Sequence, residues 1–276
     1  MSGNVAGLLM AMFLPGFVLA AESGLPATDT AASRTMTAEQ VIDRYVAACG
    51  GAEKWHAIQT MAWNGHIETG PGGISKIPFM MLFRRPDTTR FELLREGQHL
   101  VRIFDGKQGW KVRPASTGLP EIKDYSDEEI SYAHDAAGLD GPLFDHRAKG
   151  VTVVLAGLDT VDGHRAYRLE LTLPSGRKRT DWIDAQNFQE LKYDREVHNS
   201  QGRSGTVSVY YRDYRTVEGL TVPFVIETGG GAGGESDRMV IDKIVVNPPL
   251  EERLFARPAA PGSRHQGVVV DTTKIP

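Results

Sequence analysis

Between residues 77 and 114, short apolar runs alternate with residues that favour tight turns. Pro86-Asp87, Gly97 and Asp105-Gly106 separate the runs, and such residues are typical of hairpin connections rather than of helices. We therefore predict an antiparallel meander in this part of the chain. Its four predicted strands are Ile77–Phe83, Phe91–Arg95, His99–Phe104 and Trp110–Val112.

The side chains of these strands show two different patterns. Phe91 and Leu93 alternate with charged residues, and Val101 and Ile103 form a second apolar pair, which gives the meander one apolar face and one mixed face. The strand Ile77–Phe83 instead carries large apolar side chains on both faces, although one face of an antiparallel strand is usually solvated. We expect another part of the chain, or a ligand, to cover that second face.

Two segments show helical spacing and a helix start signal. Thr37 and Gln40 form a capping-box pair before an apolar stripe that ends at Gly50-Gly51. Ser126 and Glu129 repeat that spacing ahead of a second helix, and Pro142 can begin a further helical turn. These later pieces stand between two sets of strands, so we predict that they lie across the sheet as a lid. Its apolar residues are Ile130, Tyr132, Leu143 and Phe144.

The second half of the chain is predicted to be almost entirely strand and turn. With the first half it gives about a dozen antiparallel strands, more than an open twisted sheet holds without curling. We therefore predict one mainly β domain over residues 37–258, curled into a barrel or half-barrel with helices as its cover. The later strands are Val151–Leu155, Ala166–Leu173, Arg179–Asp184, Leu191–Val197, Thr206–Tyr214, Leu220–Glu227 and Arg238–Val246.

The first residues indicate export. Val5–Ala21 is apolar, is interrupted by Pro15-Gly16 and ends in small residues, which fits a secretory signal over residues 1–21 with cleavage near Ala20 or Ala21. A buried N-terminal helix is the alternative. Residues 22–36 have the composition of a disordered lead, and residues 259–276 that of a loosely attached tail.

Charge and cysteine content exclude several function classes. The formal net charge is -4 and the basic runs are short, so we expect no nucleic-acid partner. The Arg177-Lys178-Arg179 run is interpreted as a solvated hairpin end. Cys49 is the only cysteine, which rules out an intrachain disulfide, and its apolar surroundings favour packing over nucleophilic chemistry.

One dense group of potential metal ligands precedes the second set of strands. Its spacing matches no helical zinc motif and no calcium loop, and we interpret its members as solvated charges of the lid. There is also no GxSxG elbow and no phosphate loop. We expect no catalytic residue, no metal and no cofactor. The group comprises His134, Asp135, Asp140, Asp145 and His146.

Large apolar side chains are the remaining feature of the sequence that could bind a ligand. The simplest interpretation of the large apolar side chains is a filled core, but two features favour a cavity. Pro78 cannot donate to a ladder, which suggests an edge or an opening, and the flexible Met80-Met81 pair suits varied ligands. The predicted cavity residues are Phe79, Met81, Phe83, Phe91, Leu93, Val101, Ile103, Trp110 and Val112.

The segment FRRPDTTRFELL…HLVRIFDGKQGWKVRP carries a resemblance to a known family. Its Arg-Pro, Asp-Gly turn, Trp and closing Pro resemble the periplasmic lipoprotein carriers of the LolA/LolB-like superfamily. Later motifs, among them Tyr211-Arg212-Asp213-Tyr214-Arg215 and Leu254-Phe255-Ala256-Arg257-Pro258, are similar to outer membrane lipoprotein-sorting proteins. The resemblance implies a half-open antiparallel β-barrel that is closed by helices and accepts acyl chains. It also implies that Arg85, in the Arg-Pro motif, bonds to the lid and controls its opening.

These observations lead to one expected function and two alternatives. We expect a monomeric, non-enzymatic periplasmic carrier that moves lipid or lipoprotein acyl chains between envelope membranes, with donor and acceptor proteins at the inner and outer membranes. The first alternative is an envelope sensor or adaptor that uses the same fold to bind a protein partner. The second is a metal-dependent hydrolase built on the His134–His146 segment.

Overall fold

A computed structural model describes residues 36–69, 75–95, 98–114, 120–136, 138–198, 204–229 and 237–259. Within these ranges, thirteen strands form one antiparallel sheet in the order β6-β5-β4-β3-β2-β1-β13-β12-β11-β10-β9-β8-β7. Among the described strands, only β1 and β13 pair although they are distant in sequence, so the sheet consists of two meanders joined at its middle. The predicted signal segment and nearly all of the predicted lead and tail lie outside these ranges.

Within the described residues, three α-helices and one short 3-10 helix accompany the sheet. The helices are α1 (Ala38–Ala48), α2 (Ala52–Ala57), α3 (Asp127–Ala136) and the 3-10 helix Glu252–Phe255. The strands are β1 (Thr60–Thr69), β2 (Ser75–Arg84), β3 (Thr88–Arg95), β4 (Gln98–Phe104), β5 (Gly109–Pro114), β6 (Pro120–Asp124), β7 (Thr152–Val161), β8 (His164–Thr172), β9 (Lys178–Asp184), β10 (Glu190–His198), β11 (Ser204–Val217), β12 (Leu220–Gly229) and β13 (Asp237–Val246).

Both predicted capping boxes are present. The Thr37 hydroxyl accepts from the Gln40 amide at 3.2 Å, and the Gln40 side chain accepts from the Thr37 amide at 3.0 Å. Ser126 and Glu129 make the same reciprocal pair at the start of α3. Each box satisfies two of the amide groups that a helix start leaves without an intrahelical partner.

The sheet is strongly curled, as the contacts of α3 show. One end of α3 contacts β5 through Glu129 and the other contacts the β8–β9 turn through Asp135. In a flat sheet, β5 and β9 would lie about 43 Å apart, because nine spacings of ~4.8 Å separate them. The two α3 residues are only about 9 Å apart along the helix axis. The two edges of the sheet therefore approach each other, which gives the predicted half-open barrel.

The concave face of the sheet is covered by α1 and α2. Val41 and Ile42 of α1 pack on strands β8 and β9 through Leu169, Leu171 and Ile183. Trp55 of α2 packs at the middle of the sheet in a larger apolar cluster. Helix α1 thus shields strands of the second meander, and α2 shields the middle of the sheet, where the two meanders meet.

The convex face has a separate apolar cluster. The 3-10 helix brings Leu254 and Phe255 over it, and both side chains are buried. The sequence pattern predicted neither this helix nor the edge strand β6 at Pro120–Asp124. The strand residues beneath the 3-10 helix are Ala62, Met80, Leu82, Val101, Ile103, Trp110 and Val112.

No helix in the described part of the chain combines the length and the apolar composition that a membrane crossing requires.

Candidate functional site

A cavity of about 980 Å³ lies between the concave face of the sheet and its helical cover. This volume is at the upper end of the roughly 300–1,000 Å³ that small-molecule sites occupy. Apolar side chains of the central strands, α2 and the lid enclose one end of the cavity. They include Trp55, Trp63, Met81, Phe83, Phe91, Phe144, Ile226 and Met239.

The predicted cavity residues divide between the two faces of the sheet. Met81, Phe83 and Phe91 line the cavity. Phe79 and Leu93 share their face and are buried beside them, with the Phe79 ring stacked on Phe91 at 6.0 Å.

The other four residues are on the convex face, so their placement in the cavity is corrected. Phe91 pairs directly with Arg102 across the β3–β4 ladder, which puts Phe91 on the same face as Arg102 rather than Val101. Both strands alternate as predicted, but the face of β4 was assigned one residue out of register. Val101, Ile103, Trp110 and Val112 pack instead beneath the 3-10 helix.

Helix α3 closes one side of the cavity and is fixed to β5 by a buried carboxylate. Glu129 accepts from Lys111 at 2.6 Å and from Arg102 at 3.1 Å. Burial alone would raise the pKa of Glu129, but the bonds from Lys111 and Ser126 and the charge of Arg102 lower it. The charged form of Glu129 therefore attaches α3 to the first meander.

The same helix is bound to the second meander at its other end. Asp135 accepts from Arg177 at 3.0 Å and from the Ser175 hydroxyl at 2.7 Å. The Arg177 guanidinium also lies 3.8 Å from the Tyr132 ring centroid. Tyr132 thus lies at the margin of the lid, while Ile130 of the same helix lines the cavity.

Residues 138–150 complete the cover after α3. Phe144 lines the cavity and packs against Trp55 and Tyr45, with ring centroids 5.4 Å and 5.8 Å away, respectively. Leu143 is directed to the other core cluster, beneath α1. Residues 139–150 form turns, and no regular helix follows Pro142 in this segment.

Arg85 joins this segment to the end of α2. Its guanidinium donates to the carbonyls of Ile58 at 2.8 Å and Trp55 at 2.9 Å, and to the Asp140 carboxylate at 2.8 Å. Lys149 donates to the other oxygen of Asp140 at 2.5 Å. Burial would raise the pKa of Asp140, but Lys149 and Arg85 lower it. The predicted contact of Arg85 with the lid is present, whereas control of opening stays a prediction.

The opposite end of the cavity is polar, a feature that the sequence pattern did not predict. Arg179 donates to Asp181 at 2.5 Å and to Glu190 at 2.8 Å, and its guanidinium lies 3.7 Å from the Tyr193 ring centroid. In the run Arg177-Lys178-Arg179, only Lys178 is exposed as predicted, since Arg177 binds the lid and Arg179 lies in the cavity wall with 13% of its side chain exposed. One signal in the sequence indicated this polar end. Along β9, Arg179 and Asp181 alternate with Trp182 and its neighbours, which puts the two charged residues on one face of the strand.

The five residues considered as metal ligands are dispersed. Asp135 and Asp140 bind the cations already described, and His134 lies edge-on to the Phe104 ring at 4.9 Å. Asp145 pairs with His56 at 2.6 Å, and His146 lies 3.3 Å from Glu39. In the part of the chain that the structure describes, no three such residues converge on a possible metal position.

Cys49 is buried beside the cavity, at the end of α1. Burial raises the pKa of its thiol to about 12, so the reactive thiolate is scarce at neutral pH. Its backbone carbonyl accepts from the Trp55 indole and from the Thr221 amide, both at 3.0 Å. The residue thus connects α1, α2 and β12 by packing and backbone bonds.

No protein-family model matches the sequence, and no curated protein is similar to it in sequence. Solved structures do resemble its fold. A LolA superfamily protein from Nitrosomonas europaea is 16% identical with a TM-score of 0.54, over 80% of this chain and 98% of that one. A DUF1329 family protein from Desulfovibrio piger is 14% identical, with a TM-score of 0.53 over 80% and 98%. A domain described as an outer membrane lipoprotein-sorting protein from Vibrio parahaemolyticus is 13% identical, with a TM-score of 0.50 over 78% and 94%.

Proposed function

Because the chain has a LolA-like fold, we propose that it is a periplasmic carrier that binds acyl chains of lipids or lipoproteins and moves them between envelope membranes. The observation that carries this proposal is the cavity of about 980 Å³, whose apolar end lies beneath a lid held by polar contacts. The fold of the lipoprotein-sorting domain from Vibrio parahaemolyticus supports the same class of cargo.

The apolar end of the cavity suits an acyl chain energetically. Each buried methylene contributes about 0.8 kcal/mol, so a chain of about a dozen methylenes gains on the order of 10 kcal/mol before the cost of association. Met81 and Met239 line this end, and unbranched thioether side chains can adjust to chains of different length. No donor that would orient a charged group is needed for this part of a ligand.

The lid contacts suit release as well as capture. Arg85 holds residues 138–150 through Asp140 and holds α2 through two backbone carbonyls. These are polar bonds made by the partly exposed Arg85 guanidinium, and water can replace them when the lid moves. The apolar contacts of Phe144 with Trp55 and Tyr45 would in turn be exchanged for contacts with a ligand chain. We infer that ligand entry accompanies this exchange.

A cavity-filling variant tests the proposal. Met239→Trp places a large ring at the apolar end, so a fluorescent fatty-acid probe should bind at least about tenfold more weakly than to the native protein. Thr216→Trp, at an exposed position on β11, is the matched control and should bind the probe normally. Equal binding by both variants, or no probe binding to the native protein, would reject an acyl-chain cavity. Lipid extraction and mass spectrometry of periplasmic protein would identify the natural ligand.

A further inference from the structure

The polar end of the cavity carries two arginine side chains on neighbouring strands. Arg195 of β10 lies directly opposite Arg179 of β9, and both side chains line the cavity. Residues opposite each other in an antiparallel pair have Cβ atoms about 5 Å apart, so the two guanidinium groups can reach one ligand. Like charges in such positions repel each other. An anion in the cavity would relieve that repulsion.

The carboxylates beside Arg179 bring limited negative charge to this end. Arg179 binds Asp181, which is fully buried, and Glu190. Burial and the neighbouring Asp181 raise the pKa of Glu190 to about 8, while Arg179 acts against them. Glu190 is therefore mostly protonated at neutral pH. Asp181 is then the main counter-charge of Arg179, and Arg195 brings a second guanidinium to the same face.

Arg195 lies where the margin of the lid meets β10. Its guanidinium is 5.9 Å from the Tyr132 ring centroid, and the Tyr132 hydroxyl donates to the Glu196 backbone carbonyl at 3.4 Å. Asp135 of the same helix also lines the cavity, but Arg177 binds its carboxylate. The side chain of Arg195 is only partly buried. A charged head group at this position would keep part of its contact with water, which lowers the cost of its desolvation.

Two phenol groups face the cavity on the same side of the sheet. Tyr193 precedes Arg195 by two residues on β10, and its ring centroid is 5.9 Å from that of Tyr211 on β11. Among the residues that the structure describes, neither phenol hydroxyl makes a hydrogen bond to a side chain or to the backbone. Burial raises the pKa of Tyr211, so its hydroxyl stays protonated and can donate. Both hydroxyls can therefore donate to the oxygens of a ligand.

We propose that this polar end binds the anionic head group of an acyl lipid, a carboxylate or a phosphate, and that Arg195 is its principal contact. The chains of the lipid extend toward Trp63 and Phe91 at the apolar end. A guanidinium offers paired donors that match the oxygens of either anion, and the hydroxyls of Tyr193 and Tyr211 donate to the remaining oxygens. This inference rests on the proposed acyl-chain function, to which it adds the class of head group.

Three ligands with the same alkyl length test the head group. Dodecyl phosphate, dodecanoate and dodecanol can each be followed by titration of tryptophan fluorescence, because Trp55 and Trp63 line the cavity. At least one of the two anions should bind at least about tenfold more tightly than dodecanol at pH 7, and the tighter anion identifies the head group as phosphate or carboxylate. Dodecanol binding as tight as that of both anions would overturn the inference while leaving the acyl-chain function standing. Failure of all three ligands would instead reject that function.

Substitutions of Arg195 test its contact with the head group. Arg195→Gln should weaken binding of the preferred anion at least about fivefold and binding of dodecanol by less than about twofold. Arg195→Lys keeps the charge but loses the paired donors, so it should retain part of the affinity. Lys178→Gln is the matched control, because it removes the same charge from an exposed position next to Arg179 and should bind all three ligands normally. If Arg195→Gln binds the anion as Lys178→Gln does, or loses as much affinity for dodecanol as for the anion, the inference fails.

Discussion

The Arg85 guanidinium lies 2.8 Å from the Asp140 carboxylate, and this pair connects the end of α2 to the segment that covers the cavity. Asp140 is almost fully buried, with 1% of its side chain exposed, whereas Arg85 retains 23%. A buried carboxylate needs cationic partners to remain charged, and Lys149 supplies the second one. Movement of residues 138–150 away from α2 must break the Arg85–Asp140 bond, whereas the Lys149–Asp140 bond lies within the segment and can move with it.

Asp140→Asn should therefore loosen the lid. The amide keeps the shape of the carboxylate but loses its charge, so we expect a loss of roughly 1–3 kcal/mol in the free energy of unfolding. Hydrogen exchange should accelerate in residues 138–150, and a bound fatty-acid probe should dissociate faster. The pKa of Asp140 is lowered in the folded state, so this stabilisation is present above about pH 4 and is lost as pH falls through the folded pKa. Native protein and variant should converge in acid.

Asp145→Asn is the matched control in the same segment. Asp145 pairs with His56 at 2.6 Å, but about half of each side chain is exposed, and such pairs contribute little. Its φ of 49° is in the left-handed region, which asparagine also tolerates. The free energy of unfolding should change by less than about 0.5 kcal/mol. Faster probe dissociation from Asp145→Asn than from Asp140→Asn would contradict the role given to Asp140.

Glu129→Gln should detach α3 from β5. The carboxylate binds Lys111 and Arg102, and with 9% of its side chain exposed it has little access to water. We expect a loss of about 2–3 kcal/mol in urea-induced unfolding, the range for hydrogen bonds to charged groups. Glu128→Gln changes the adjacent exposed residue of the same helix and should be nearly neutral. Indistinguishable stabilities of the two variants would show that Glu129 does not anchor the helix.

Local signals in the sequence predicted the elements well. Both capping boxes are where the spacing put them, and the strands of the first meander match the predicted runs within a few residues. The predicted LolA-like, half-open fold is confirmed by the strand order and by the likeness to solved structures. These features depend on residues close in sequence, or on a count of strands, and so need no knowledge of packing.

Features that depend on packing between distant residues were not predicted. The face of β4 follows from its register with β3, and a shift by one residue moves Val101 and Ile103 from one side of the sheet to the other. The polar end of the cavity requires Arg179 and Glu190 to meet across β9 and β10. A run of three basic residues gives no sign of that pairing, because Glu190 lies on the neighbouring strand and Asp135, the partner of Arg177, lies on α3.

The buried carboxylate of Glu190 predicts an unusual dependence of stability on pH. Its pKa is raised to about 8 in the folded protein, chiefly by burial and also by Asp181. The folded state then binds more protons than the unfolded state between about pH 4.5 and pH 8, so stability should fall as pH rises through that range. Glu190→Gln resembles the protonated form and removes the effect. Measured by urea-induced unfolding, the native protein and Glu190→Gln should have similar free energies of unfolding at pH 5, and the variant should be the more stable of the two at pH 8.5.

Glu39→Gln is the control, because the pKa of Glu39 is lowered, mainly by its bond to Arg147, and its titration has the opposite sign. If the native protein gains as much stability as Glu190→Gln between pH 5 and pH 8.5, then Glu190 is ionised in the folded state. The charge assigned to the residues around Arg179 would then be wrong.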